Sequence, residues 1–256
     1  MNKGAAIAKR VQKDCGMRHP LDLSLDELVY GRGAILKSSL IDGAQGRIMI
    51  RGDEAIITYD KRIEQQAKRR FVIAHELGHY EMHRNLIEAI HLDPERNFCE
   101  WLATGRHEVE ANQFAAELLM PSVLFGPAVK GQFDLNLIKR VADEFQTSIT
   151  ATLLNYRDQG SFSVAIVYSE NGWIKWATCS EDFVMPYIPR NEKIPVNSVA
   201  NDLFGGSGRL PDRPEEIDTA TWFSHDYRFK EFRNWKFREQ CIQVAPRGVL
   251  SAIWGY

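Results

Sequence analysis

This sequence has few cysteines, no long apolar run and almost no net charge. The four cysteines are widely spaced and form no C-x-x-C pair: Cys15, Cys99, Cys179 and Cys241. Such spacing predicts free thiols and argues against a zinc ribbon or a disulfide framework. Because no stretch of about 18 uncharged apolar residues occurs, no transmembrane helix is expected.

The N-terminus lacks the apolar core of a signal peptide, since Lys9 and Arg10 interrupt its short apolar run. The 32 Lys and Arg residues nearly balance 34 Asp and Glu residues, which leaves a formal net charge of -2. A chain of this charge has no overall attraction to phosphate backbones or acidic membranes. We therefore expect a cytoplasmic protein that contacts no membrane. Its 256 residues, 44% of them apolar, can form one large domain or two smaller ones.

The part of the chain up to about Asp60 predicts two short helices followed by a small antiparallel sheet. The second helix is expected at Leu21–Val29. Short strands are expected at Ala34–Ile41, Arg47–Ile50 and Ala55–Tyr59, because turn-forming Asp-Gly and Gly-Asp dipeptides separate these segments.

The next part of the chain has the apolar periodicity of helices. Apolar residues recur at three- and four-residue intervals from Arg62 to about Asn85, which predicts one long helix. Another helix is expected at Glu108–Met120, where Pro121 ends it. Between them, a short helix is expected around Phe98–Leu102.

A pair of helices resembling a helix-turn-helix follows. The helices are expected at Leu135–Phe145 and Ile149–Arg157, with a turn at Gln146–Ser148. This shape occurs in nucleic-acid readers. In the second helix, however, only Asn155 and Arg157 offer long polar side chains, so ordinary helix packing is favoured.

The C-terminal part of the chain predicts a mainly β module. The Glu170-Asn171-Gly172 sequence is typical of a hairpin turn between two strands. The expected strands are Ser161–Tyr168, Trp173–Cys179, Thr219–Phe223, Ile242–Ala245 and Val249–Trp254. We divide the chain into a first domain at 1–130, a helical segment at 131–160 and a mainly β module at 161–256 that could serve as a sensor.

The motif His75-Glu76-Leu77-Gly78-His79 is the strongest functional signal in the sequence. On a helix, His75 and His79 lie one turn apart on one face and can share a zinc ion at about 2.0–2.1 Å. Glu76 is offset from that face, where it can take a proton from a metal-bound water whose pKa is lowered to about 7. The same ligands could also hold Mn²⁺ or Fe²⁺.

A third metal ligand has to come from elsewhere, because catalytic zinc sites have three protein ligands. His83 lies about 12 Å along the helix from His75 at 1.5 Å per residue, too far to share the ion. The helix predicted at Glu108–Met120 carries three glutamates. Helix geometry favours Glu110 as the ligand over Glu117 and Glu108, which remain alternatives.

Two segments together resemble the ImmA/IrrE family of metallopeptidases. They are the 71–79 segment with His83 after it, and the 110–121 segment, Glu110-Ala111-Asn112-Gln113-Phe114-Ala115-Ala116-Glu117-Leu118-Leu119-Met120-Pro121. The resemblance covers roughly residues 25–160. It implies an α+β fold in which a small zincin-like domain combines a small sheet with the active-site helices. It also implies His75, His79 and Glu110 as zinc ligands and Glu76 as the catalytic base.

The leading hypothesis is therefore a zinc-dependent endopeptidase. The resemblance implies a protein substrate, a helix-turn-helix transcriptional repressor, cleaved in a bacterial or phage stress or mobile-element response. Tyr80, His83 and His107 are candidate donors to the oxyanion that forms during cleavage.

The alternative hypothesis is a DNA-binding transcriptional regulator in which zinc is structural. Besides the helical pair, aromatic and basic residues alternate over Tyr227–Arg238, a composition that suits single-stranded nucleic acid. The same alternation describes a strand with one buried face, and we favour that interpretation.

Overall fold

The computed structural model describes residues 2–52, 54–92, 105–205 and 208–255. The short helix predicted around Phe98–Leu102 lies outside the described residues. Two compact units are formed. One comprises Met1–Phe125 and Asp143–Ser148, and the other comprises Gly126–Ala142 and Ile149–Tyr256.

The first unit begins with two helices. Helix α1 (Lys3–Asp14) starts at Asn2, whose side chain accepts a hydrogen bond from the Ala5 amide. Helix α2 (Leu25–Gly31) starts with a capping box in which Ser24 and Glu27 each bond the other's backbone amide, which satisfies amides that a helix start otherwise leaves free.

A three-stranded sheet follows, with strands β1 (Ile35–Ser39), β2 (Gly46–Arg51) and β3 (Glu54–Asp60) in the order β1-β3-β2. The antiparallel pairing predicted from the sequence is found between β2 and β3. It is wrong for β1, which pairs parallel with β3. The chain reverses twice between β1 and β3 and so regains its first direction, and β3 then lies between the other two strands.

Two further helices complete the frame of the first unit. Helix α3 (Gln66–Leu92) is the long helix predicted to begin at Arg62, and it begins and ends later than expected. Helix α4 (Arg106–Leu119) ends just before Pro121, as predicted. A core of buried side chains joins these helices to the sheet, including Leu28, Ile57, Ala74, Leu77, Phe114, Ala115 and Leu118. Short helix α5 (Ser122–Ala128) follows α4.

The predicted helical pair is present as α6 (Leu135–Phe145) and α7 (Ile149–Gln159). The intervening Gln146 has a positive φ of 51°, which fits the predicted turn.

The second unit contains a five-stranded antiparallel sheet in the order β5-β4-β8-β7-β6, so the mainly β character predicted for this region is confirmed. The strands are β4 (Val164–Glu170), β5 (Trp173–Cys179), β6 (Glu215–Asp218), β7 (Lys236–Ala245) and β8 (Gly248–Gly255). Asn171 and Gly172, with φ of 54° and 77°, form the predicted turn between β4 and β5. Their positive φ values match the right-handed twist of a hairpin.

Two strand predictions in this unit are wrong. The Thr219–Phe223 segment is helix α9, following the short helix α8 (Asn201–Phe204). Thr219, Trp222 and Phe223 are all buried, and their spacing of three and four residues fits one helical face. The Tyr227–Arg238 segment contains helix α10 (Phe229–Phe232) and becomes a strand only at Lys236.

A fully buried glutamate, Glu239, lies on β7 in the second unit. Glu239 accepts hydrogen bonds from the Val199 amide at 2.9 Å, the Ala200 amide at 3.3 Å and Trp222 Nε1 at 3.0 Å. Because burial of an unpaired carboxylate costs several kcal/mol, these donors explain how it is tolerated. Glu239 thus connects the segment before α8 to the sheet.

Among the described residues, no helix combines the length and apolar character that a membrane span requires.

Candidate metal centre

The two histidines of the HExxH motif face each other on helix α3. His75 Nε2 and His79 Nε2 are 3.1 Å apart. The carboxylate of Glu108 lies against both rings, with Oε2 3.2 Å from His75 Nε2 and Oε1 3.0 Å from His79 Nε2. Two imidazoles and one carboxylate therefore converge on one point.

Close packing of α3 on α4 produces this convergence. Gly78 faces Phe114, and a Cβ at Gly78 would lie only 3.0 Å from the Phe114 ring. The glycine therefore permits an approach that larger residues would prevent. Glu108 lies in the first turn of α4, which places its side chain beside the His75–His79 face of α3.

Each imidazole also has a partner for its second nitrogen. His75 Nδ1 lies 3.0 Å from Asn112 Oδ1, and His79 Nδ1 lies 3.0 Å from His83 Nδ1. Metal-binding histidines usually donate their other ring N–H to such a group, which fixes the ring orientation and tautomer. Asn112 is one turn beyond Glu108 on α4, so one face of that helix supplies both contacts. The sequence prediction did not assign Asn112 a role, although the i, i+4 spacing from Glu108 was a usable signal.

The charges of this cluster follow from burial and from the nearby carboxylates. Burial opposes the charged form of His75, but Glu108 and Glu76 outweigh it and raise the pKa of the ring. Burial and the adjacent His75 lower the pKa of His79 to about 4. The hydrogen bond with His75 lowers the pKa of Glu108. At neutral pH, Glu108 is thus an anion and His79 is an uncharged ring, the forms in which both groups bind metals.

Glu76 is on α3, and its side chain lies beside the edge strand β2. A Cβ at Gly46, the first residue of β2, would be 2.5 Å from Glu76 Oε1 and 2.7 Å from Val72 Cγ1. Burial raises the pKa of Glu76 to about 7. Such a carboxyl group can exchange protons near neutral pH, as a general base must. The role of Gly46 in making room for Glu76 was not predicted from the sequence.

The residues present fit a zinc ion. Donor atoms about 2.0–2.1 Å from one tetrahedral ion lie about 3.3 Å from one another. The distances of 3.0 to 3.2 Å among His75, His79 and Glu108 are close to that value. Two imidazole nitrogens and one carboxylate are also the ligand set of many catalytic zinc sites.

Glu110, the ligand chosen from the sequence, is not beside His75 and His79. Its carboxylate is bound by Lys3 Nζ at 2.9 Å, Arg106 Nε at 2.8 Å and His83 Nε2 at 3.1 Å. Residues two apart on a helix differ by about 200° around its axis, so Glu108 and Glu110 have different neighbours. In this structure Glu108 has the position that the sequence analysis gave to Glu110.

The other residues singled out from the sequence have separate contacts. Glu117 accepts hydrogen bonds from the amide and hydroxyl of Ser122. The Tyr80 hydroxyl donates to the Arg32 carbonyl. His83 and His107 lie near Glu110 in a second cluster of possible metal ligands. Because Lys3 and Arg106 already neutralise Glu110, this second cluster is a poor site for a cation.

A small sheet, a helix bearing two facing histidines and a second helix that supplies a carboxylate define a zincin-like metallopeptidase domain. Residues 37–155 match a peptidase family model described as the IrrE N-terminal-like domain. This match confirms the resemblance to the ImmA/IrrE family that was found in the sequence.

A solved structure of a Mycobacterium tuberculosis transcriptional regulator is similar to the chain, with a TM-score of 0.63 and 18% sequence identity. The alignment covers 100% of this chain and 76% of that one. At this identity the likeness shows a shared α+β fold alone. No curated protein matches the chain.

Proposed function

We propose that this protein is a zinc-dependent endopeptidase that cleaves a protein partner. His75, His79 and Glu108 are its metal ligands, and Glu76 is its general base. The observation that carries the proposal is the convergence of the two imidazoles and the Glu108 carboxylate within 3.2 Å of one another. The peptidase family match at residues 37–155 supports it.

Zinc at this site would polarise a peptide carbonyl and lower the pKa of a water molecule. Glu76 would accept the proton of the attacking water and transfer it to the leaving amine. Although burial raises the pKa of Glu76 to about 7, a nearby cation favours the charged carboxylate. Glu76 therefore has the form that accepts a proton at neutral pH.

The proposed substrate is a helix-turn-helix transcriptional repressor, and the proposed setting is a bacterial or phage response to stress or to transfer of a mobile element. The family resemblance supports this choice. The regulator with a similar fold is compatible with a role in transcription. We propose that the protein acts in the cytoplasm, where such a substrate is found.

Replacement of Glu76 by Gln tests the mechanism. The amide preserves the size of the side chain but cannot act as a base. We expect the variant to retain about one zinc per chain, as measured by mass spectrometry of metals, and to lose cleavage of a co-purifying partner. Glu64→Gln, at an exposed position before α3, is the control and should retain both properties. A fully active Glu76→Gln protein would remove Glu76 from the mechanism.

The alternative is a DNA-binding regulator with structural zinc. The observation that suggests it is the helical pair α6 and α7. The long polar residues of α7 are, however, engaged within the protein. Asn155 is buried and accepts a hydrogen bond from Gln159. Arg157 donates to Asp158 and to Thr178 Oγ1. These contacts leave little of α7 for reading bases.

The Tyr227–Arg238 segment offers a second possible contact with nucleic acid. Tyr227 is 80% exposed and Trp235 is 48% exposed, but Lys236 is already paired with Asp218 and Glu216. Gel-shift assays at several salt concentrations test the alternative. Specific binding that weakens steeply with salt, as phosphate contacts require, together with full activity of Glu76→Gln, would favour the regulator.

A further inference from the structure

A continuous set of polar contacts runs from His79 to the N-terminal helix. His79 Nδ1 lies 3.0 Å from His83 Nδ1. The other nitrogen of His83, Nε2, lies 3.1 Å from Glu110 Oε2. Glu110 is in turn bound by Lys3 of α1 and by Arg106 of its own helix.

Glu110 is held as an anion. Its two oxygens contact two cations, with Lys3 Nζ 2.9 Å from Oε2 and Arg106 Nε 2.8 Å from Oε1. An ionised carboxylate can only accept hydrogen bonds. The nitrogen of His83 that faces it, Nε2, must therefore carry a proton.

The tautomer of His83 then determines that of His79. When Nε2 of the neutral His83 ring carries the proton, Nδ1 has a lone pair, which faces His79 Nδ1 at 3.0 Å. A neutral imidazole has one donor and one acceptor nitrogen. His83 Nδ1 can therefore accept from His79 Nδ1–H, and in that tautomer the lone pair of His79 Nε2 would be available to a metal ion held together with His75 and Glu108.

We propose that His83 and Glu110 are positioning residues that hold His79 in the tautomer and orientation needed to bind the metal. This inference rests on the metal ligands of the proposed function. It assigns Glu110 an indirect role, in place of the direct ligation expected from the sequence. Asn112 Oδ1 has the equivalent position beside His75 Nδ1.

The N-terminal helix takes part in this arrangement. Gly4 lies against the backbone of α4, where a Cβ would overlap the Glu110 carbonyl and lie 2.8 Å from the Phe114 amide nitrogen. This close contact of α1 and α4 places Lys3 beside Glu110. Helix α1 thus supplies one of the two cations that contact Glu110, although it lies outside the 37–155 family match.

Glu110→Gln and Glu117→Gln form a matched pair for the test. Both glutamates are buried on α4, and both are paired with a lysine of α1, at 2.9 Å for Lys3–Glu110 and 3.7 Å for Lys9–Glu117. Only Glu110 contacts His83. Zinc affinity of the full chain is measured by competition with a chromophoric chelator, and ligand geometry is measured by the visible absorption of the Co²⁺-substituted protein.

Glu110→Gln should weaken zinc binding about 10- to 100-fold, the usual effect of losing an outer partner of a metal ligand, and should change the Co²⁺ spectrum. His83→Phe keeps an aromatic ring but has no nitrogen that can accept a hydrogen bond from His79. It should likewise weaken zinc binding and change the Co²⁺ spectrum. Glu117→Gln should bind zinc as the wild type does. Glu108→Gln should have a larger effect than Glu110→Gln, because it replaces a ligand. Circular dichroism checks that each variant is folded.

Wild-type zinc affinity in both Glu110→Gln and His83→Phe would overturn the inference. It would also be overturned if Glu110→Gln abolished zinc binding while Glu108→Gln retained it, since Glu110 would then be the ligand. These readouts do not depend on proteolysis. If the zinc affinities of the variants follow the expected order but the wild-type protein cleaves no partner, the proposed function is contradicted. The inference about His83 and Glu110 would still hold.

Discussion

Glu108 and Glu110 differ by two positions on α4 but have different neighbours. Glu108 lies against His75 and His79, whereas Glu110 lies against Lys3, Arg106 and His83. Only Glu108 lies in the cluster with His75 and His79, whereas Glu110 lies in the second cluster, where Lys3 and Arg106 already pair with it. Residue type alone therefore does not assign the role, because both residues have the same chemistry.

Gly46 gives a prediction at the scale of one residue. Gly46→Ala would place a methyl group 2.5 Å from Glu76 Oε1 and 2.7 Å from Val72 Cγ1. The Glu76 carboxylate would have to move, and a misplacement of about 1 Å can reduce a rate about 100-fold. We expect kcat for cleavage to fall by about that factor while zinc content is unchanged, as measured by steady-state kinetics and metal analysis.

Gly31→Ala is the matched control for this change. Gly31 ends helix α2, and a Cβ there would meet no atom within 4 Å. This control should cleave as fast as the wild type. Equal kcat values for Gly46→Ala and the wild type would show that the carboxylate does not need the space that the glycine provides.

At the scale of elements, the contact between α3 and α4 determines the site. Phe114 is fully buried and fills the space beside Gly78. Neither helix alone contains the complete set of proposed ligands, since α3 carries the two histidines and α4 carries Glu108. The distance between the two helices therefore determines both how the core packs and where Glu108 lies relative to the two histidines.

Phe114→Ala should destabilise the protein by about 3–5 kcal/mol, the usual cost of emptying a large aromatic site in a core. The free energy of unfolding is measured by denaturant titration with a chelator present, so that changes in metal binding do not contribute. Val109→Ala, at a position 54% exposed on the same helix, should change stability by no more than about 0.5 kcal/mol. A loss below about 1 kcal/mol for Phe114→Ala would contradict this account of the packing.

At the scale of the whole molecule, we expect metal binding and stability to be linked. A ligand that binds only the folded state stabilises it by about 2.7 kcal/mol at 100 times its Kd. Zinc should therefore raise the midpoint of thermal unfolding, and excess chelator should lower it again. Calorimetry of the full chain with and without zinc measures the effect.

The double variant His75→Ala/His79→Ala is the control for that experiment. It retains the fold elements but lacks both imidazoles, so its unfolding midpoint should not respond to zinc. A wild-type protein that holds one zinc per chain and melts at the same temperature after complete metal removal would contradict the linkage.

The sequence alone determined most of the local structure. The HExxH motif, the break at Pro121 and the Asn171-Gly172 turn depend on residues close together in the chain. The structure contains the predicted α4 and β4–β5 hairpin, and it contains α3 with later ends than predicted. Thr219–Phe223 was predicted as a strand and is a helix, because a short apolar run fits either periodicity until its packing is known.

Only the tertiary structure decided which acidic residue lies beside His75 and His79. That outcome depends on how α3 and α4 pack through Gly78 and Phe114, and on how α1 brings Lys3 to Glu110. It likewise decided that β1 pairs parallel with β3. Contacts between distant parts of the chain determine these features, and helical or strand periodicity carries no information about them.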